Sequence, residues 1–212
     1  MDLIHPKVQQ YAEMFSSLED DLLKEVALFT TENHAESHML SGHLQGKLLE
    51  AISFMIRPRR ILEVGTFTGY SALCLAKGLT EDGQLHTIEL REGDGNKAKE
   101  FFNRSSLSEK IILHTGSALN ILPGLNETWD LVFIDADKTG YIDYFNLVLP
   151  NVRKNGFILA DNIFFHGQVF EEPIKGKSAK AVKAFNEMIK QRHDIETVLI
   201  TLRDGLFLIR KL

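Results

Sequence analysis

At 212 residues, 44% of them hydrophobic, the chain carries enough apolar material for one core and too little length for two ordinary domains. Charged residues make up 25% and the net charge is −5, which excludes extended disorder and any global electrostatic pull towards nucleic acid or an anionic membrane. A single cysteine, Cys74, excludes a disulfide-stapled scaffold and is expected on a buried helix face.

The first residues, Met1-Asp2-Leu3-Ile4-His5-Pro6, lack the basic-then-apolar order of a signal peptide. No run approaches the ~18 apolar residues that span a bilayer, so a cytoplasmic location is the expectation. Val8, Tyr11, Met14, Phe15, Leu18, Leu22, Val26 and Phe29 recur at three- and four-residue steps, which predicts a helix over 6–29. A second helix is predicted over 42–55, stopped by Pro58. Residues 1–58 therefore read as a helical segment packed on the same domain as 59–212.

From Arg60 the pattern changes to short apolar runs alternating with helical ones. Strands are predicted over 61–64, 84–88, 111–114, 131–134 and 157–160, with helices over 70–79, 95–103, 118–122, 141–149 and 178–191 between or after them. The last two runs, 196–201 and 206–210, flank Arg203-Asp204-Gly205 and read as a hairpin. This is an α/β chain whose seven strands form a mostly parallel sheet, covered on both faces, with one antiparallel strand. In such sheets ligands gather beyond the carboxyl ends of the strands, where Glu63, Glu89, Asp135 and Asp161 all fall.

The turn after the first strand, Glu63-Val64-Gly65-Thr66-Phe67-Thr68-Gly69-Tyr70-Ser71, has glycines that allow a ligand close to the backbone at a helix N-terminus. Its E-x-G-x-x-x-G spacing differs from the G-x-G-x-x-G of dinucleotide sites and favours a cofactor without a pyrophosphate. Glu89, 24 residues after Gly65, stands where an acid grips ribose hydroxyls. Gly116-Ser117-Ala118 is a small-residue turn suited to a flat ring or to an ordinary strand-to-helix connection. Ser71 is placed to bond a carboxylate or to cap its helix.

Asp135-Ala136-Asp137-Lys138 and Asp161-Asn162 follow two further strands. Asp135, Asp161 and the amide oxygen of Asn162 offer hard oxygen ligands that suit Mg²⁺, Mn²⁺ or Ca²⁺ better than a structural zinc. The same residues are also common as solvated turns and caps. Lys138, three residues beyond Asp135, is placed to act as a base in the same cleft.

Together, ILEVGTFTGYSAL at 61–73, Glu89, GSAL at 116–119, DADKTGY at 135–141, ADN at 160–162 and the terminal DG hairpin resemble the cation-dependent class I O-methyltransferases that use S-adenosylmethionine, including the catechol and caffeoyl-coenzyme-A types. The resemblance covers nearly the whole chain and implies a Rossmann-like fold and a homodimer. It implies that Ser41, Glu63, Gly65, Thr66, Ser71, Glu89, Ala118 and Asp135 line the cofactor. It also implies that Asp135, Asp161 and Asn162 hold a divalent cation, Mg²⁺ first, and that Lys138 is the catalytic base. The expected acceptor is a vicinal dihydroxy phenolic small molecule.

Two segments stand apart from that pattern. Leu90-Arg91-Glu92-Gly93-Asp94-Gly95-Asn96 is glycine-rich for a helix start, which would loosen the adenosine side. The aromatic loop 164–170 reads equally as a lid over a planar substrate or as core and dimer packing. Lys175, Lys177, Lys180 and Lys183 near that loop leave a hydroxylated tRNA base as an alternative acceptor. A non-catalytic module on the same fold is a further alternative.

Overall fold

The computed structural model describes residues 3–212. Three helices lead the chain: α1 (Pro6–Phe15), α2 (Asp21–Asn33) and α3 (Gly42–Ile56). The single helix expected over 6–29 is thus two. Helix-terminal signals override the apolar periodicity: the Ser16 hydroxyl donates to the Ala12 carbonyl at 2.7 Å, and the Asp20 carboxylate accepts the Leu23 N–H at 2.9 Å as the cap of α2.

Strands and helices then alternate as β1 (Arg60–Val64), α4 (Tyr70–Ala76), β2 (Gln84–Glu89), α5 (Glu92–Phe102), β3 (Ile111–Thr115), α6 (Ala118–Ile121), β4 (Trp129–Ile134), α7 (Tyr141–Val148), β5 (Val152–Asp161) and α8 (Lys177–Gln191). The chain closes with the hairpin β6 (Ile195–Ile200) and β7 (Leu206–Lys211). The sheet order is β3-β2-β1-β4-β5-β7-β6, with β7 antiparallel to both neighbours and every other pairing parallel. β1 lies between β2 and β4, so chain direction across the sheet reverses there, and the crevice that this reversal opens is the natural ligand site of an open α/β sheet.

The pleat sends alternate residues into two apolar layers. Leu62, Val132, Ile134, Ile158 and Ala160 meet Phe145 of α7 and Phe185 of α8 on one face. Ile61, Leu131, Phe133 and Leu159 meet Leu73 of α4 and Phe101 of α5 on the other. Leu23 and Val26 of α2 and Leu49 and Ile52 of α3 join this second layer. α1 buries no residue and leaves Val8, Tyr11, Met14 and Phe15 exposed.

Several boundaries differ from the sequence expectation, such as α4 ending at Ala76 and β4 beginning at Trp129, and two of them have an identifiable feature. α5 begins at Glu92, three residues early, because Glu92 and Asp94 in its first turn complement the helix dipole and offset the two glycines. Asp94 is further held by Arg91 at 2.6 Å and His34 at 3.1 Å, so the glycine-rich turn is tied down at its centre. β5 begins at Val152 instead of 157, running through the polar stretch Arg153-Lys154-Asn155 with a register irregularity against β4.

Candidate active site

β1, β2, β4 and β5 end side by side, and their carboxyl ends open into one cavity of about 790 Å³. Its wall includes Ser41, Gly65, Thr66, Ser71, Glu89, Ala118, Asp135, Lys138, Asn162 and Arg203. These ten residues come from seven segments spread along the chain, from Ser41 to Arg203. Glu63 and Asp161, also expected at the site, lie just beneath this wall: Glu63 is 0% exposed and Asp161 1%.

The glycine turn is required by the protein itself as much as by any ligand. Gly65 has φ +104°, and a Cβ there would lie 1.9 Å from the Asp135 carbonyl oxygen. Gly69, at φ +90°, faces the Phe102 ring at 2.6 Å from the same kind of added carbon. Glycine therefore lets β1 and β4 come together at the cavity floor and lets α4 start against α5.

On the β2 side, Glu89 accepts the Phe67 N–H at 2.7 Å on one oxygen and the Arg91 N–H at 2.9 Å on the other. That clamps the glycine turn to the entry of α5 and leaves each oxygen of this cavity-lining side chain with a further lone pair. Thr66 and Thr87 hydroxyls lie 2.5 Å apart, and the Thr87 hydroxyl donates to Glu63 Oε2 at 2.5 Å. Glu63 Oε1 has no hydrogen-bond partner of good geometry. Burial pushes the Glu63 carboxyl up to about 8, against hydrogen bonding from Ser71 and Thr87, with the charges of Asp135 and Glu89 pushing the same way as burial. An acid held in this state responds to any positive charge placed beside it.

The β4 and β5 ends carry the second half. Lys138 Nζ donates to Asp135 Oδ1 at 3.0 Å and to the Tyr141 hydroxyl at 2.6 Å. Tyr141 is fully buried, and its hydroxyl in turn donates to the Asp161 carbonyl at 3.0 Å. Asp161 accepts Gln45 Nε2 at 2.7 Å on one oxygen and the Asn162 N–H at 2.8 Å on the other. Burial and the neighbouring Asp135 charge raise its carboxyl to about 6, opposed by Lys138, Gln45 and Arg203. Asn162 itself has φ +55°, a conformation asparagine tolerates and which marks the sharp exit from β5.

Among the described residues no three His, Cys, Asp or Glu side chains gather at a metal-binding distance. The residues expected to hold a cation, Asp135, Asp161 and Asn162, offer two carboxylates and one amide, an all-oxygen chemistry compatible with a hard divalent ion. The Asp135 charge bears on Asp161 while Lys138, bonded to Asp135 at 3.0 Å, offsets part of that repulsion.

The aromatic loop divides between its two readings. Phe164 packs on the apolar layer of α7 and α8 and against the Phe170 ring, with centroids 5.4 Å apart. Phe165 and His166, at φ +46° and +55°, line the cavity. Sequence reasoning missed Gln45, Arg203 and Tyr141 as members of the site. Gln45 was legible in principle as a polar residue on the apolar face of α3, and Arg203 as the charged corner of a hairpin whose β7 pairs with Asp161.

A family model described as O-methyltransferase matches residues 13–212. A catechol O-methyltransferase of Niastella koreensis is 31% identical over 93% of this chain and 90% of its own length. A probable caffeoyl-CoA O-methyltransferase of Dictyostelium discoideum is 29% identical over 97% and 92%. Among solved structures, the O-methyltransferase TomG of Streptomyces achromogenes, which acts in tomaymycin synthesis and was solved with SAM, superposes with a TM-score of 0.89 at 30% identity, covering 97% of this chain and 96% of that one. With a glycine turn, Glu89 and an acid-lysine cluster on one cavity, and with this match along nearly its whole length, the chain belongs to the O-methyltransferase family.

Proposed function

We propose that the protein transfers a methyl group from S-adenosylmethionine to one oxygen of a vicinal dihydroxy aromatic small molecule, with a divalent cation, Mg²⁺ first and Mn²⁺ or Ca²⁺ as alternatives, held by Asp135, Asp161 and Asn162. The observation that carries this reading is the Lys138–Asp135 bond in the wall of a single cavity that Asn162 also lines, with the Asp161 carboxylate buried just beneath it.

Ser41, Gly65, Thr66, Ser71, Glu89, Ala118 and Asp135 would line the cofactor. The orphaned buried oxygen of Glu63 fits a positively charged ligand above it. Glu89 has oxygens free to accept two ribose hydroxyls while its backbone clamps stay in place. S-adenosylmethionine supplies the reactive methyl group, and the bound cation would favour loss of a proton from a substrate hydroxyl. Lys138 Nζ is the group positioned to take that proton. Tyr141 steers the ammonium towards Asp135 and the cavity, while the apolar walls at Met39, Leu40 and Phe165 exclude water around a planar ring.

The exposed apolar side chains of α1, with Leu18, Phe54 and Met55, support a homodimer that covers them. No helix among the described residues is long and apolar enough to cross a membrane, and a lone buried Cys74 suits a reducing cytoplasm. Lys175, Lys177 and Lys180 are exposed beside the cavity residue Ser178 and keep a hydroxylated tRNA base as the rival acceptor. A labelled-methyl assay against catechols, flavonoids and bulk RNA, each with and without chelator, tests the reading. Chelator-sensitive labelling of catechols is expected; labelling of RNA alone, or transfer indifferent to chelator, would refute it.

A further inference from the structure

We propose that Gln45 and Arg203 form a relay that orients the Asp161 carboxylate for cation binding, an inference that rests on the metal centre proposed above. Gln45 projects from the inner face of α3 and is 1% exposed, 116 residues from the acid it contacts. Its Nε2 donates to Asp161 Oδ2 at 2.7 Å and its Oε1 accepts from Arg203 Nη1 at 3.0 Å. A carboxylate only accepts and a guanidinium only donates, so the amide has a single possible orientation between them.

The charge arrangement explains why an amide stands there. Arg203 is half-buried in the cavity wall, and among the described residues no carboxylate lies within 4.0 Å of it in an ion pair. Its nearest polar partners are Gln45 and the Ser41 carbonyl. A direct Arg203–Asp161 pair would tend to be bidentate and would engage both carboxylate oxygens, leaving a cation in competition with a guanidinium. With a neutral amide between them, the Gln45 Nε2–H, polarised by Arg203, takes one lone pair on Oδ2, while the Asn162 N–H takes one on Oδ1 at 2.8 Å. The carboxylate plane is pinned at both oxygens, and each oxygen keeps a lone pair. The same guanidinium holds the Ser41 backbone, so one side chain sets the distance between the expected cofactor edge and the expected cation edge of the site.

These are positioning residues, and the test reads cation binding directly. Mn²⁺ affinity would be measured by calorimetry on wild type, Gln45→Met, Arg203→Met and the double variant, with S-adenosylhomocysteine affinity and thermal midpoint measured on each. Gln45→Met is expected to weaken Mn²⁺ about 10–100-fold while the nucleoside affinity stays within about twofold. Arg203→Met is expected to weaken Mn²⁺ less, by about threefold or more, and the double variant to match Gln45→Met, as two members of one chain of bonds should. A folded Gln45→Met that binds Mn²⁺ as wild type does would overturn the relay. If Gln45→Met does not fold, unchanged Mn²⁺ affinity in Arg203→Met would overturn it equally. Wild-type protein that binds no Mn²⁺ would instead refute the metal centre itself, and the relay with it.

Discussion

Glu63 is expected to make the stability of the ligand-free protein fall as the pH rises. It is fully buried, one oxygen has no hydrogen-bond partner of good geometry, and its carboxyl is pushed up to about 8 from an ordinary 4.5. A folded state that holds a proton more tightly than the unfolded chain gains stability below the unfolded value and loses it as pH rises through the folded one. With these two values the loss amounts to about 1 kcal/mol at pH 5 and about 4 kcal/mol at pH 8. Glu63→Gln, isosteric with the protonated acid, removes this titration without emptying space. The measurable quantity is therefore the difference between variant and wild type, which cancels the contributions of Asp161 and the surface carboxylates. Urea unfolding of both proteins at pH 5, 6, 7 and 8 is expected to show that difference moving by about 3 kcal/mol in favour of the variant, or roughly 6–12 °C in thermal midpoint. Parallel profiles, within about 0.5 kcal/mol across the range, would refute the reasoning. The cofactor provides a second check. A sulfonium or ammonium above Glu63 favours its ionised form, so binding of S-adenosylmethionine at pH 7 is expected to release a proton, detectable as a buffer-dependent calorimetric enthalpy, and Glu63→Gln is expected to abolish that release.

Lys138→Met is expected to lower kcat by about 10²–10⁴-fold, the usual contribution of a positioned base, with cofactor affinity changed by less than about threefold; single-turnover and binding assays separate the two, and retention of wild-type kcat would remove Lys138 from the proposed chemistry. Gly65→Ala is expected to cost about 3 kcal/mol or more in unfolding free energy, since the added methyl meets the Asp135 carbonyl at 1.9 Å and the backbone sits at φ +104°. Denaturation of that variant at wild-type urea concentrations would show that the turn tolerates a side chain.

Much of the fold was legible along the chain because the signals are local. A strand buried on both faces writes itself as an apolar run such as Leu131–Ile134, and the Asp204-Gly205 corner announces a reversal, with Gly205 at φ +81°. The N-terminal break was less legible because the residues of α1 and α2 share one spacing. Only the competing capping bonds of Ser16 and Asp20 separate them.

For the candidate site, the sequence by itself determined the chemical types and their order: the glycine turn, Glu89 at the end of the second strand, Asp135 with Lys138 after the fourth, Asp161-Asn162 after the fifth. These follow from strand ends, where side-chain direction and polarity are read within a few residues. The tertiary structure alone decided which of them share a boundary with what. It sank Glu63 and Asp161 beneath the cavity, made Gly65 necessary through a backbone contact with Asp135, and brought Gln45 of α3 and Arg203 of the last hairpin to one carboxylate. Those relations join residues 70 to 158 positions apart. Burial and hydrogen-bond closure, the physical terms that create them, exist only once the sheet has ordered its strands.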